Sequence, residues 1–473
     1  MEDEAIEVTS LRCRFVTMVA GIRVTNDPFS VPARLGPKGL SDIINHLLGA
    51  DKGALYDFLV YDSFGSGDER QVVTPVLMRQ ASKHLLRGSL RAHVSESERL
   101  LTIEYSPSLP RPSDGGRAEL PDWVGCVDGV QEGGLFVSGC YDGHLRVSTG
   151  GASLLYDVGG HQGAVKAIKA GKGGVVVSGG QDQTIRTWRL ETSGDEATLV
   201  PVGVGSNGGA SRLSHENSVE CVDVRDSGVI LSGDWDGRLC VWPTSDEKDD
   251  QDDEGGGSSL SSAKKRKAAV SLAVKELVPV AAFKAHAQCV SGVAWMTAGN
   301  DSGGGICANA VTSSWDHSLK SWDIERQDCI TTINGSKVNT CMDYSPSSGL
   351  VATGHPDGAL RLWDLRVHVS AVTGAASTLA SSSGGGWVSG VSWCVASPNL
   401  VASSSHDGSM RIYDARSSKP LFTLRAHGAK TSEDKGLCVA WSDSFVAGGG
   451  TDCRLKAFSF SGLKGANEGG QDR

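Results

Sequence analysis

One short pattern recurs along this chain and constrains its fold more than any other feature. The copies are "SGCYDGHLRVS" (138–148), "SGGQDQTIRTW" (178–188), "SGDWDGRLCVW" (232–242), "SSWDHSLKSW" (313–322), "TGHPDGALRLW" (353–363), "SSHDGSMRIY" (404–413) and "GGTDCRLKAF" (449–458). In six of the seven, an Asp precedes an aromatic residue by six positions: Asp182 to Trp188, Asp236 to Trp242, Asp316 to Trp322, Asp357 to Trp363, Asp407 to Tyr413 and Asp452 to Phe458. The first copy keeps Asp142 but has Ser148 at the sixth place. Self-similarity at one spacing marks a repeat array, in which each unit is too small to bury its own apolar face and must stack on its neighbours.

Upstream of four copies lies a histidine. His161, His215, His286 and His427 precede Asp182, Asp236, Asp316 and Asp452 by 21, 21, 30 and 25 residues. Between each His and its Asp come two apolar runs, such as "AVKAI" then "VVVSG". Each unit therefore reads strand, turn, strand, Asp-Gly turn, strand, a meander repeating every 40–50 residues. Asp-Gly suits a two-residue turn with positive φ, and the Asp carboxylate can hold the backbone N–H groups of that turn.

The array resembles the WD-repeat propeller family. "LWD" (362–364), "SWD" (321–323) and the pair Gly160-His161 carry the resemblance. It implies a mainly β fold, seven blades closed in a ring that leaves only short strand edges exposed. It also implies that the Asp of each copy bonds the upstream His, which reaches a Ser or Thr and the Trp of the same blade. A catalytic dyad or a metal site built on the same His and Asp residues is disfavoured, because the pair returns in blade after blade. There are departures from the pattern. Arg189 and Pro243 replace the Asp that follows Trp, and repeats 1, 5 and 6 show no obvious His. Those three blades are expected to be more weakly tied internally. The sequence leaves open which end of the chain supplies the outer strand that closes the ring.

Residues 11–105 have a different texture. "LRCRFVTM" (11–18), "IRVTNDPFSVP" (22–32), "YDFLVYD" (56–62) and "RLLTIEYS" (99–106) read as strands. "GLSDIINHLLGA" (39–50) reads as a helix, with Ser41 as N-cap and an apolar stripe of Leu40, Ile43, Ile44, Leu47 and Leu48. The segment 61–94 is longer than such a domain needs and is expected to hold a fourth strand, a short helix near Met78–Leu86 and an insertion. Strand–strand–helix–strand–strand is the order of a small α+β ubiquitin-like domain. The run "RFVTM…IRVTNDPFSVPARL…GLSDIINHLL…YDFLV…LTIEY" is similar to the Notchless-type version of it.

This domain joined to a seven-bladed propeller resembles the WD-repeat ribosome-biogenesis family of the Pescadillo complex. The resemblance implies a scaffold without catalysis that acts in large-subunit (60S) biogenesis and rRNA maturation. Its propeller would join Pescadillo and the block-of-proliferation-type WD protein. Its ubiquitin-like domain would dock on midasin, a giant AAA ATPase, for release from pre-60S particles. In that docking an acidic side chain completes the Mg²⁺ shell of midasin's adhesion site. The matching position is Glu98, with Glu96 as rival. Mg²⁺ takes oxygen ligands in octahedral geometry, often only one or two carboxylates from any one chain. No cofactor of the chain's own is implied. A Notchless-like assembly factor and a WD-repeat substrate receptor of a ubiquitin ligase stay open as alternatives.

The expected organisation is a flexible 1–10, the ubiquitin-like domain over 11–106, a linker over 107–120, the propeller over 121–462 and a tail over 463–473. The linker reading rests on the Pro-, Gly- and Ser-rich "SPSLPRPSDGGRAEL". A charged insertion, 245–272, interrupts the propeller with an acidic run followed by Lys264, Lys265, Arg266 and Lys267. That basic tract fits a nuclear-localisation signal or an RNA contact. With the family it implies a nuclear, nucleolar and nucleoplasmic protein.

Composition agrees with this reading and narrows it. A net charge of −10 argues against a globally cationic nucleic-acid binder, leaving a local RNA contact open. The 61 glycines suit many tight turns. Twelve cysteines occur with no C-x-x-C pair, as in a reduced intracellular protein. No apolar run approaches a membrane span of ~18 residues. No phosphate-binding G-x-x-x-x-G-K-[ST], no H-E-x-x-H and no zinc-spaced Cys/His set is present, so nothing in the sequence supports an enzyme.

Overall fold

The computed structural model describes residues 10–19, 21–49, 53–61, 76–79, 100–130, 133–194, 196–205, 214–243, 274–296, 309–365, 377–379, 386–428 and 434–461. Two compact units are present: Met1–Arg111 together with Asp414–Ser418, and Pro112–Tyr413 together with Lys419–Arg473.

The N-terminal unit contains strands β1 (Ser10–Val16), β2 (Phe29–Pro32), β3 (Tyr56–Tyr61), β4 (Val76–Met78) and β5 (Leu100–Pro107) and one helix, α1 (Pro37–Leu48). The sheet order is β2-β1-β5-β3-β4, with β1 and β5 parallel and the other pairs antiparallel. Alternation along β1 and β5 sends Leu11, Cys13, Phe15, Leu101, Ile103 and Tyr105 to one face, against Leu40 and Ile44 of α1.

Several expected details differ. The helix starts earlier than its sequence suggests: Gly36 is the N-cap, Pro37 occupies the first turn, and Gly49 ends the helix at φ 64. Ser41 lies inside the helix, where its hydroxyl donates to the Pro37 carbonyl (2.9 Å) and accepts the Tyr56 N–H (3.1 Å). The hydroxyl thus ties α1 to β3. Leu47 stays 42% exposed, leaving the apolar stripe narrower than expected. In 22–32 only Phe29–Pro32 pairs as a strand, because the residues before it have no partner in the sheet register. Met78 ends β4, and residues 80–86 of the expected short helix lie outside the described residues.

The second unit holds seven small sheets. Their innermost strands are Val124–Gly129, Val165–Ala170, Val219–Val224, Val290–Trp295, Cys341–Ser345, Val388–Trp393 and Gly436–Ser442. Each packs on the next, and the seventh packs on the first, which closes a ring. Apolar clusters fill the spaces between neighbouring blades. One joins Leu145, Val147 and Trp188 of blades 1 and 2, and another joins Val177, Ile185, Ile230 and Trp242 of blades 2 and 3. Strands buried on both faces explain why runs such as "LCVW" do not alternate. Blade 2 gains a fifth strand, Lys275–Glu276, parallel to Glu196–Gly205.

The ring closes from the N-terminal side. β6 (Ser113–Glu119) is the outer strand of blade 7, antiparallel to Arg454–Ser459. The expected linker 107–120 is therefore mostly sheet: β5 runs to Pro107 and β6 begins at Ser113. The Gly-rich text hid this because an outer strand draws its hydrogen bonds from its neighbour and buries little; in β6 only Ala118 is buried. Gly116 sits at φ 121, where a Cβ would meet the Gly151 carbonyl oxygen at 2.3 Å.

Candidate functional site

The repeated His, Asp and Trp residues meet inside single blades. In blade 2 the Trp188 indole N–H donates to Ser178 Oγ (3.0 Å). Ser178 Oγ stands 2.7 Å from His161 Nε2, and His161 Nδ1 stands 2.9 Å from Asp182 Oδ1. The indole N–H donates to Ser178 Oγ, that hydroxyl pairs with His161 Nε2, and the Asp182 carboxylate accepts from Nδ1–H. Blade 4 repeats it with Trp322, Thr312, His286 and Asp316, at 2.8, 2.7 and 3.0 Å. Burial lowers His286 to about 4, outweighing the upward pull of Asp316, so this imidazole is neutral at pH 7. Burial alone would raise Asp316. The Ser318 hydroxyl, His286 and two backbone N–H groups outweigh it and bring the carboxyl to about 2.

Blade 3 departs from the expected pairing. His215 Nδ1 bonds Asp234 Oδ2 at 2.9 Å, and Asp236 takes no part in that contact. Asp234 ends the second strand, is 1% exposed and also accepts the Arg238 N–H at 2.8 Å. Asp236 is exposed in the turn. Trp242 and Ser232 complete this relay at 2.8 and 2.5 Å. In blade 7, His427 Nδ1 meets Asp452 Oδ1 at 2.9 Å. Its Nε2 is buried with no hydrogen-bond partner, because Gly448 stands where other blades have a hydroxyl.

The three blades without an upstream His are held differently. Four residues after the repeat Asp, an Arg turns back onto it. Arg146 Nη2 reaches Asp142 at 2.7 Å and Arg361 Nη2 reaches Asp357 at 2.7 Å, and Arg411 does the same with Asp407. Arg146 also bonds Asp157 at 3.0 Å while only 1% exposed. The expected weakness of blades 1, 5 and 6 is therefore offset by fork-shaped guanidinium contacts. The sequence signal, D-x-x-x-R, was present in all three. Blade 5 has a His as well. His355 bonds Thr353 Oγ1 at 2.8 Å, and Thr353 accepts the Trp363 N–H at 2.7 Å. His355 is placed two residues before Asp357, not upstream of the blade.

A third set of contacts joins blade to blade around the inner strands, and sequence reading missed it. Asp128 accepts the Ala170 N–H (2.8 Å), Asp223 the Trp295 N–H (2.7 Å) and Asp343 the Trp393 N–H (2.7 Å). Ser392 accepts the Trp441 N–H at 3.3 Å, and the Ser442 hydroxyl donates to the Val130 carbonyl (2.8 Å) across the closure. Lys169 Nζ stands 3.5 Å from Asp128 Oδ2. Attraction to Asp128, then to Asp223 and Asp343, raises the ammonium of the half-buried Lys169. Burial raises Asp223 to about 6 against the pull of Lys169, and it raises Asp343 as well. Among the described residues no group of three His, Cys, Asp or Glu side chains is arranged to hold a metal ion. Glu96 and Glu98, and the tract Lys264, Lys265, Arg266, Lys267, lie outside the described residues.

Comparison with known proteins separates the two units in the same way. A family model described as the NLE (NUC135) domain matches residues 11–65. The model for the WD domain, G-beta repeat, matches 152–189, 210–243, 277–323, 327–364 and 368–414. A Chlamydomonas reinhardtii protein named "Ribosome biogenesis protein WDR12 homolog" is 33% identical over 475 residues, covering 96% of this chain and 98% of the relative. The chain belongs to the WDR12 family. Members from Nematostella vectensis (31% identical, 95% of this chain and 99% of the relative) and Oryza sativa subsp. japonica (29%, 93% and 94%) match as fully. WDR12 homologues thus share both units in the same order. The first and seventh blades escape the repeat model, yet both form four-stranded sheets of the ring.

Proposed function

We propose that this chain is a non-catalytic adaptor in large-subunit ribosome biogenesis, acting in the nucleus and nucleolus. Alignment from end to end with proteins named for ribosome biogenesis is the observation that carries the proposal. The relay geometry supports the absence of catalysis. Its His and Asp groups are spent on holding strands, and the pattern returns in several blades. A polar pair that repeats with the fold is a scaffold device; a reaction centre needs one unique constellation.

In this reading the propeller joins Pescadillo and the block-of-proliferation-type WD protein on the pre-60S particle. The ubiquitin-like domain offers Glu98, with Glu96 as rival, to the Mg²⁺ of midasin's adhesion site. The chain itself needs no cofactor, and the ATPase supplies the energy for release. The basic tract Lys264–Lys267 directs nuclear import.

Affinity purification of the tagged full chain with mass spectrometry tests the first part. Pescadillo and the block-of-proliferation protein as leading partners support it. A cullin adaptor in their place points to a ubiquitin-ligase receptor, and a Notchless-stage particle points to the Notchless-like role. For docking, Glu98→Ala should abolish Mg²⁺-dependent capture of the midasin adhesion domain. Undiminished capture by both Glu98→Ala and Glu96→Ala would reject the ligand assignment. Alanine at 264–267 should disperse nucleolar fluorescence of a tagged chain.

A further inference from the structure

We propose that β6 is a load-sensitive latch: tension arriving from the N-terminal unit peels β6 off blade 7 before any other strand yields and unlocks the ring there. The inference deepens the adaptor reading, on which only the natural source of the load rests.

Connectivity comes first. The N-terminal stretch of the first unit ends at Arg111 and β6 begins at Ser113, so almost no slack chain separates them. A pull carried along the backbone from that stretch enters the propeller through β6. Ser113 pairs in register with Ser459, the last residue of the neighbouring strand. The chain therefore enters and leaves the ring at one corner. A load between those two points separates the ladder from one end, a step at a time. Shear along the strands would instead load every hydrogen bond together.

The ties across this pair are superficial. Ser113 Oγ meets Ser459 Oγ at 2.6 Å, Lys456 Nζ meets Asp114 at 2.6 Å, and Arg454 meets Glu119 at 3.2 Å. The Asp114 and Glu119 side chains are each 66% exposed, where ion pairs contribute little. Blade 7 is also the blade whose relay is incomplete. His427 Nε2 has no partner, Gly448 replaces the hydroxyl, and Phe458 brings no indole N–H. The outer strands of the other blades follow their third strands in the chain, whereas β6 reaches its neighbour from 335 residues away.

Unlatching has a structural consequence. Ala118 and Leu120 belong to the cluster that joins blade 7 to blade 1, with Val124, Phe136, Leu455 and Ala457. Withdrawing β6 strips one wall from that cluster at the seam of the ring. A propeller opened at its seam loses the fixed surface that a partner reads, which links pulling to partner release.

The test is single-molecule pulling on the full chain, with handles attached at position 111 and at Arg473. That placement bypasses the N-terminal unit. The expected trace shows an early extension of about 25 Å, the length of the 7 residues of β6, before the main unfolding events. An oxidised Ser113→Cys/Ser459→Cys pair should remove that step, and reduction should restore it. A first rupture that takes a whole blade, or an early step that persists in the oxidised pair, would overturn the latch. Native-state hydrogen exchange on the unaltered chain gives a second reading without any engineered bond. β6 amides should exchange at least tenfold faster than those of the outer strands Asp328–Asn334 and Pro420–Arg425, and equal protection would also overturn it. Because the instrument supplies the load, failure here leaves midasin docking standing, and failure of the Glu98→Ala capture experiment leaves the latch standing.

Discussion

Asp234, and not Asp236, holds His215: its Oδ2 stands 2.9 Å from His215 Nδ1. The two carboxylates lie two residues apart, one ending a buried strand and the other exposed in the turn that follows. In blades 2 and 4 the position of Asp234 is occupied by Gly180 and Ser314, and there the repeat Asp turns inward to the His. Blade 3 has both, and the deeper one takes the contact. Asp234→Ala should therefore destabilise the propeller by about 3 kcal/mol, since it leaves a buried imidazole N–H and a backbone N–H unpaired. Asp236→Ala should change stability by less than about 0.5 kcal/mol. Urea titrations of the full chain, followed by Trp fluorescence, separate the two. Equal losses would refute the assignment.

This pair also shows how far the sequence could be read. The ring was legible because spacing repeats, and repetition is a property of text. The partner of His215 was not, because "DWD" offers two carboxylates and burial decides between them. β6 was hidden for a related reason. Its side chains are mostly exposed, so "SDGGRAE" carries no alternation to betray a strand. The inner carboxylates Asp128, Asp223 and Asp343 bond to backbone groups of the next blade, and no side-chain pattern announces a backbone acceptor.

The Arg clamps can be tested against the relays they replace. Arg146 is 1% exposed and serves two carboxylates, Asp142 and Asp157. Arg146→Met keeps much of the packing and removes both contacts. The two acids are 23% and 37% exposed, so water recovers part of their solvation. The expected loss is about 1–2 kcal/mol. Arg146→Lys should recover less than half of it, because an ammonium cannot reproduce the fork. Thermal melts of the three proteins at one ionic strength read this, and a lysine variant as stable as the parent would refute the geometric argument.

The Asp-Gly turn offers a stabilising set. The residue after the repeat Asp has positive φ in every blade. It is Gly in four, at 143, 237, 358 and 408, while Gln183 (φ 64), His317 (φ 71) and Cys453 (φ 58) occupy it in the others. Left-handed backbone strains a residue with a Cβ by about 1–2 kcal/mol, and glycine returns part of that gain through its freedom in the unfolded chain. Gln183→Gly, His317→Gly and Cys453→Gly should each stabilise by about 0.5–1 kcal/mol. The sites lie in different blades, so the three effects should add. Denaturant midpoints of the singles and the triple give the answer, and any single that destabilises would count against strain at that turn.

Asp223 gives the propeller a pH dependence of unusual sign. Burial raises its carboxyl from 3.8 to about 6 in the folded chain, while the Trp295 N–H and Lys169 hold the charged form only in part. Between about pH 4 and pH 6 the folded state then binds more protons at this site than the unfolded state. Stability contributed by the site falls as pH rises through that window. Most folded carboxylates act oppositely, as Asp316 does: it is lowered to about 2, and its stabilisation is lost on acidification below about pH 4. Asp223→Asn keeps an oxygen to accept the Trp295 N–H and removes the titration. The fall in unfolding free energy between pH 4.5 and pH 6.5 should shrink by on the order of 1–3 kcal/mol in the variant. Asp343 is raised in the same direction and should carry a residual slope. Urea midpoints at four pH values, at constant ionic strength, resolve the two curves. If they run parallel from pH 4.5 to 6.5, Asp223 ionises freely and the inner ring is wetter than its geometry indicates.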